Sequence, residues 1–217
     1  MSVAKPTLTY FNGPGRAEVP RLLLELAGVD YEWVGFAYKG SPGPDWAEYK
    51  SKHGEELAFG QVPRYQEPEG LDLVQSNAIS RHLANKHGFN GTNEIEAALI
   101  DQFSEGVGEF ATAGLKVIFA PEGANKAELL AKFLSEDLPK WLGHFDRALA
   151  KNGTGFFVGD KVSYADVGLL VTLNFVFKLL EGAREVFEGF SQVKAAYEKV
   201  ASLPKIKAFY DSKPYGN

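Results

Sequence analysis

The first candidate functional residue along the chain, Tyr10, lies where a predicted strand is followed by a predicted helix. It is near the end of a run of β-forming residues at 6–11, and the sequence Asn-Gly-Pro-Gly at 12–15 then breaks that run. Apolar residues recur at helical spacing from 16 to 27. A phenol hydroxyl at this point can donate a hydrogen bond to an anion, and the adjacent helix N-terminus favours negative charge. A lone tyrosine at such a position is more often an ordinary strand-edge aromatic, so a functional role for Tyr10 needs support from other residues.

A second candidate for anion binding is Ser76, which precedes a helix predicted over residues 77–87. As an N-cap, this serine would present a hydroxyl beside unpaired backbone amides, an arrangement suited to a carboxylate. A simple structural cap remains the alternative interpretation.

The elements that must position these residues form an α/β domain. Strands at 6–11 and 31–36 flank the first helix, which predicts a right-handed βαβ unit with parallel strands and Gly28 as the helix C-cap. Strands at 62–66 and 71–74 flank the turn sequence Glu-Pro-Glu-Gly and predict a hairpin. The helix at 77–87 completes the order βαβ-ββα.

Beyond a short polar segment at 87–93, the periodicity is helical, which predicts an all-α domain. We therefore divide the chain into an α/β domain at 1–87 and a helical bundle at 88–217. Ser163 and Asp166 form an S-x-x-D capping pattern, which indicates a folding feature rather than a site. The predicted helices are 94–119, 126–150, 164–180, 191–201 and 204–210.

Composition excludes several classes of function. The 217 residues include no cysteine, which rules out disulfides, thiolate metal sites and a protein thiol nucleophile. A net charge of −5 argues against a nucleic-acid partner. The apolar runs are too short for a membrane span, which favours a cytoplasmic protein with no membrane partner. The four histidines lack the neighbours of a metal site, so no metal is predicted.

Five segments resemble, in order, the tyrosine-type cytosolic glutathione transferases, most closely the sigma and pi classes. They are YFNGPGRAE at 10–18, GQVP at 60–63, LVQSNAI at 73–79, EAALID at 96–101, and the S-x-x-D cap at Ser163. Together they span nearly the whole chain. The resemblance implies a thioredoxin-like first domain, a homodimer, and conjugation of glutathione to electrophilic hydrophobic small molecules for detoxification.

The resemblance also implies a role for individual residues in glutathione binding. Tyr10 would activate the thiol, and Arg16 would order the site and add positive potential, although a solvated Arg16 is the alternative. Glu109, where pi-class enzymes have an aspartate, would reach the γ-glutamyl ammonium across the dimer. The remaining glutathione ligands would be Gln61 and Val62 beside a cis Pro63, Gln75 and Ser76 at the γ-glutamyl carboxylate, and Trp46 with Lys50, or else Lys52, at the glycyl carboxylate.

The electrophile is expected to bind between the domains. The resemblance implies a pocket lined by Phe11, Gly13, Phe119 and Tyr215, with Phe119 replacing a tyrosine found in some pi-class enzymes. Phe59 would insert into a partner subunit, with an ordinary buried Phe as the alternative. Two other functions stay open: a glutathione-dependent isomerase of the prostaglandin-D-synthase kind, and a non-catalytic ligand-binding or structural protein of the same fold.

Overall fold

A computed structural model describes residues 4–38 and 42–212. The described residues divide into two compact units, one drawn from Met1–His87 with Pro204–Asn217 and the other Gly88–Leu203. The predicted domains differ from these units in one respect, because residues from Pro204 onward were assigned to the helical domain.

The first unit is built on a four-stranded mixed sheet with the strand order β2-β1-β3-β4. β1 and β2 run parallel, whereas β1–β3 and β3–β4 are antiparallel, so the predicted βαβ unit and hairpin are confirmed. The elements are β1 (Thr7–Phe11), α1 (Glu18–Ala27), β2 (Glu32–Phe36), α2 (Trp46–His53), β3 (Arg64–Gln66), β4 (Asp72–Val74) and α3 (Ser76–His87).

Apolar periodicity explains how the helices cover this sheet. Leu22 and Leu23 of α1, like Ile79 and Leu83 of α3, are completely buried, as the helical spacing predicts. Gly28 ends α1 in the left-handed region at φ 72°, which confirms the predicted C-cap. α1 and α3 pack against each other. Tyr10 lies near the end of β1, just before α1, and Ser76 begins α3, so this packing helps to fix both residues.

Helix α2 was not predicted, and it lies in the polar residues 37–60, which are rich in glycine and proline. Asp45 caps it by accepting a hydrogen bond of 2.9 Å from the backbone N–H of Glu48. The Trp46 ring lies 5.2 Å from that of Phe36 at the end of β2, and the Tyr49 ring lies 4.8 Å from it. A 3₁₀ turn at Gly54–Glu56 follows α2.

The second unit is helical, as predicted. Residues 126–150, predicted as one helix, instead form two helices joined by a π-helical turn at Phe133–Asp137, and the short helix α8 (Ala183–Phe187) was not predicted. The Ser163–Asp166 capping box at the start of α7 (Tyr164–Leu179) is confirmed, with the Asp166 carboxylate also accepting from the Phe157 amide at 2.8 Å. The helices are α4 (Glu94–Ile118), α5 (Ala124–Lys132), α6 (Leu138–Asn152), α7 (Tyr164–Leu179), α8 (Ala183–Phe187) and α9 (Ser191–Ala201).

The last helix, α10 (Pro204–Asp211), packs on α1 in the first unit. Ile206 and Phe209 are buried there, and the Tyr210 hydroxyl donates to the Glu18 carboxylate at 2.6 Å. The helical period of α10 is correct in the prediction, but periodicity cannot say which surface buries its apolar face. In the part of the chain that the structure describes, no helix combines the length and apolarity needed to cross a membrane.

Candidate active site

The Tyr10 hydroxyl lies inside the turn that joins β1 to α1. Tyr10 pairs with Gly35 of β2, and its hydroxyl oxygen accepts a hydrogen bond of 3.2 Å from the backbone N–H of Arg16. A Cβ atom added at Gly15 would lie 2.8 Å from the same oxygen. The glycine therefore lets the turn close around the hydroxyl, while the Arg16 amide fixes its position.

The electrostatics of Tyr10 favour a hydrogen-bond donor. Burial raises the pKa of the phenol, and it outweighs the hydrogen bond from the Arg16 amide and the Arg16 charge, which lower the pKa. The phenol therefore keeps its proton at neutral pH. Because its oxygen is the acceptor in the bond from Arg16, the hydroxyl hydrogen can be donated to another group.

Asn12 holds the same turn, and sequence reasoning assigned it no role. Its side-chain amide donates to the carbonyl oxygens of Pro42 at 2.7 Å and Gly35 at 3.2 Å, and its Oδ1 accepts from Trp33 Nε1 at 2.9 Å. An asparagine next to Gly-Pro-Gly is a turn signal, but these partners are too distant in sequence to be predicted from it.

Gln75 and Ser76 lie at the start of α3, where the structure corrects one prediction. Ser76 is the first helical residue rather than the N-cap, and the cap position belongs to Gln75, whose carbonyl oxygen accepts from the Ile79 amide at 3.0 Å. Gln75 has a left-handed backbone at φ 79°, which is uncommon for a residue with a Cβ. Such a conformation costs roughly 1–3 kcal/mol and is concentrated at functional sites.

Gln61 and the Val62–Pro63 step lie beside Gln75. Gln75 Nε2 donates to Gln61 Oε1 at 3.2 Å, so the two glutamines that the resemblance indicates are neighbours. The Val62–Pro63 peptide bond is cis, as expected.

Trp46 and Lys50 share one region of α2. Lys50 Nζ lies 6.0 Å from the centre of the Trp46 ring, and a Cβ atom added at Gly60 would lie 3.6 Å from Lys50 Cε. Lys52 instead pairs with Glu48 at 2.6 Å. Of the two lysines, Lys50 therefore lies beside the segment that carries Gln61.

The other predicted site residues are more dispersed. Phe11 packs on the rings of Phe36 and Trp46 at 5.9 and 5.8 Å, so it supports α2. Gly13 is buried where a Cβ would lie 2.4 Å from the Tyr38 ring. Tyr215 lies outside the described residues. In exposed positions are Arg16, Glu109 of α4, Phe59 (66% exposed, hence not a core residue of this chain) and Phe119 (75% exposed).

Among the residues that the structure describes, His, Asp and Glu side chains form no group of three or more that could hold a metal ion.

Comparison with known proteins identifies the family. A model described as the glutathione S-transferase N-terminal domain matches residues 6–85, and one described as the glutathione S-transferase C-terminal domain matches residues 109–213. The chain belongs to the glutathione S-transferase family. It is therefore an enzyme of the transferase class, in a family whose co-substrate is glutathione.

Individual glutathione S-transferases match over almost the full length. Glutathione S-transferase P 2 of Bufo bufo is 37% identical, over 95% of this chain and 92% of its own. The monomeric glutathione S-transferase Na-GST-3 of Necator americanus superposes with a TM-score of 0.83 at 31% identity, covering 97% and 98% of the two chains. The prostaglandin synthase D of Nilaparvata lugens does so with a TM-score of 0.82 at 27% identity, covering 97% and 99%.

Proposed function

We propose that this glutathione S-transferase activates glutathione through the Tyr10 hydroxyl. The hydroxyl donates its hydrogen to the sulfur of bound glutathione, holds that sulfur as a thiolate, and so prepares it to attack electrophilic hydrophobic small molecules. The observation that carries the proposal is the Arg16 amide bonded to the phenol oxygen at 3.2 Å, which orients the hydroxyl and leaves its hydrogen for the sulfur.

The energy required is within reach of this arrangement. A free thiol has a pKa near 8.5, so only a few per cent is ionised at pH 7. Lowering that pKa by about two units requires roughly 2.7 kcal/mol of preferential interaction with the anion. A hydrogen bond to a charged group contributes about 1.5–3 kcal/mol. The Arg16 amide polarises the phenol and makes it a stronger donor.

The rest of the tripeptide would be bound along the first unit. We assign the γ-glutamyl carboxylate to Ser76 and Gln75, where the first amides of α3 and the helix dipole favour an anion. Val62 would offer its backbone to the cysteinyl part, with Gln61 beside it. Trp46 and Lys50 would bind the glycyl carboxylate, and Arg16 would add positive potential near the sulfur.

In the reaction, the thiolate sulfur forms a bond to the electrophilic carbon. With an aryl halide, the carbon–halogen bond breaks and halide leaves with the bonding electrons, while the thiol proton has passed to solvent. The proposed biological role is detoxification of hydrophobic electrophiles. The exposed Phe119 ring offers apolar surface for such compounds, without the hydroxyl that a tyrosine would add.

We further propose that the enzyme works as a homodimer. Phe59 is an aromatic side chain exposed to 66%, as expected of a residue that inserts into a second copy. Glu109 of that copy would then pair with the γ-glutamyl ammonium.

A glutathione-dependent isomerase is the second candidate, and the similarity to the prostaglandin synthase D of Nilaparvata lugens favours it. Such an enzyme would use the same thiolate and regenerate it, so glutathione would not be consumed. Measuring substrate turnover and glutathione loss together separates the two activities.

The proposal is tested by comparing the parent with Tyr10→Phe in conjugation of glutathione to a chromogenic aryl halide. We expect the variant to lose about tenfold or more in kcat/KM, since each 1.4 kcal/mol of lost transition-state stabilisation is tenfold in rate. Tyr197→Phe is the matched control, because it removes a hydroxyl that bonds to Asn174 at 2.7 Å in the second unit. Equal turnover of parent and Tyr10→Phe would remove Tyr10 from the mechanism.

A further inference from the structure

Arg64 is a buried cation that follows the cis Val62–Pro63 step directly. Its side chain is 7% exposed, although arginine is rarely buried unless it is paired. Two guanidinium nitrogens donate hydrogen bonds to the Asp72 carboxylate of β4, Nε to Oδ1 at 2.9 Å and Nη2 to Oδ2 at 2.5 Å. This fork joins the two strands of the hairpin.

The third guanidinium nitrogen reaches a different part of the unit. Nη1 donates to the Tyr49 hydroxyl of α2 at 3.1 Å and to Glu56 in the following 3₁₀ turn at 3.2 Å. One side chain therefore ties α2 and the turn after it to the sheet. Tyr49 is adjacent in sequence to Lys50, and Asp72 lies three residues before Gln75.

Helix α2 is held to the sheet by contacts of its side chains. It has eight residues, none of them buried, and a helix this short depends on tertiary contacts for its stability. Those contacts include the aromatic packing of Trp46 on Phe11 and of Trp46 and Tyr49 on Phe36, and the polar bonds from Arg64. The ring contacts hold α2 against the sheet, and the Arg64 guanidinium sets the position of α2 along the sheet.

We propose that Arg64 is a positioning residue for glutathione, holding α2 where Trp46 and Lys50 meet the glycyl carboxylate. The inference rests on the proposed function, because it uses the glycyl role assigned to those two residues. Arginine suits the task since its planar fork can bond a carboxylate with two nitrogens and other groups with the third. Lysine, a compact point charge, cannot make these bonds together.

The test compares binding of two thiols, glutathione and γ-glutamylcysteine, which lacks the glycyl residue. The variants are Arg64→Lys, which keeps the charge and loses the fork, and Tyr49→Phe, which keeps the ring and loses the hydroxyl that Arg64 bonds. Arg147→Lys is the matched control, at an exposed arginine of α6 that bonds to His144. Thermal unfolding of each variant is recorded beside the dissociation constants.

We expect Arg64→Lys to weaken glutathione binding about tenfold, since a small displacement of a binding group costs much of its interaction. Tyr49→Phe should weaken it less, and γ-glutamylcysteine binding should change little in either variant. A purely structural role would lower the affinity for both thiols alike.

Two results would overturn the inference. In the first, the parent prefers glutathione, but the Arg64 and Tyr49 variants lose affinity for both thiols equally or keep their affinity for both. Arg64 then does not position the glycyl site, and the proposed function stands. If the parent binds both thiols equally, the glycyl assignment of Trp46 and Lys50 fails, and the role of Arg64 fails with it.

Discussion

Gly15 crowds the hydroxyl of Tyr10 so closely that the identity of this residue is part of the site. A Cβ there would lie 2.8 Å from the hydroxyl oxygen and 3.2 Å from ring carbon Cε1. The oxygen is bonded directly to the rigid ring and Cε1 is part of it, so the ring itself must move to admit a methyl group. That movement would strain the hydrogen bond that the Arg16 backbone N–H donates to the same oxygen.

We therefore predict that Gly15→Ala lowers kcat/KM for conjugation by about tenfold or more, the cost of a misplaced catalytic group. Steady-state kinetics measures the effect. Gly168→Ala in α7 is the control, because a Cβ there would meet Val107 at an ordinary 3.6 Å. An unchanged kcat/KM in Gly15→Ala would show that the hydroxyl tolerates displacement.

Residue type and local order made Tyr10 and Ser76 candidates, and their roles were assigned from the family resemblance. The left-handed backbone of Gln75 and the partners of Asn12 and Arg64 were not foreseen, because they depend on contacts distant in sequence. Neighbouring residues specify where strands end and helices start, whereas tertiary packing determines which side chains come into contact there.

The β3–β4 hairpin is fixed to α3 through the Glu67 carboxylate. This group lies 2.9 Å from His82 Nε2 and 2.8 Å from Lys86 Nζ on α3, and it accepts from the Tyr65 hydroxyl at 3.0 Å. Burial alone would raise the pKa of Glu67, but the hydrogen bonds from Lys86, His82 and Tyr65 outweigh it and lower the pKa to about 2.

This lowered pKa predicts acid sensitivity in a defined range. The carboxylate titrates near pH 4.5 in the unfolded chain and near 2 in the folded one, so its stabilisation is complete above pH 4.5 and is lost as the pH falls towards 2. Glu67→Gln should lower the free energy of unfolding by about 2–3 kcal/mol at pH 7 and flatten its decline below pH 4.5. Urea unfolding across pH measures both.

Glu122→Gln is the control for Glu67, because Glu122 is 86% exposed where it pairs with Lys126. An exposed pair contributes at most about 1 kcal/mol. If Glu67→Gln and Glu122→Gln gave the same small change at every pH, the Glu67 network would not anchor the hairpin.

Among the elements, those with strong periodicity were predicted well, and α2 was missed for an identifiable reason. Its eight residues carry only two large apolar side chains, Trp46 and Tyr49, which is too few to mark a helical stripe in the sequence. The available signal was the D-x-x-E pattern of Asp45 and Glu48, a helix N-terminus signature that resembles a capping box. The π-helical turn after α5 had no comparable signal.

On the scale of the whole molecule, the return of α10 to the first unit could not be read from the sequence. Its apolar face is clear, but the partners that bury it, Glu18 and the rest of α1, are some 190 residues away. Residue patterns predicted the order of elements, and the family resemblance predicted the class of enzyme, which similarity to known glutathione S-transferases supports.

The proposed dimer should depend on the Phe59 side chain. In a two-fold dimer Phe59 would be buried twice, and each buried Phe contributes about 1.5–3 kcal/mol, so Phe59→Ser should weaken dimerisation at least about a hundredfold. Sedimentation at several protein concentrations measures this. Phe119→Ser, at a ring exposed to 75%, is the control. A parent that sediments as a monomer, as Na-GST-3 is described, would contradict the dimer.

The proposed role of the Tyr10 hydroxyl, to stabilise the thiolate of bound glutathione, can be measured as the pKa of that thiol. Ultraviolet absorbance of the thiolate in the complex, recorded across pH, gives this pKa. We expect a pKa about two units below the free value of roughly 8.5 in the parent and a return most of the way to that value in Tyr10→Phe. Burial keeps the pKa of Tyr10 itself raised, so the phenol should not titrate in this range. A thiol pKa equally low in both proteins would show that Tyr10 does not stabilise the thiolate.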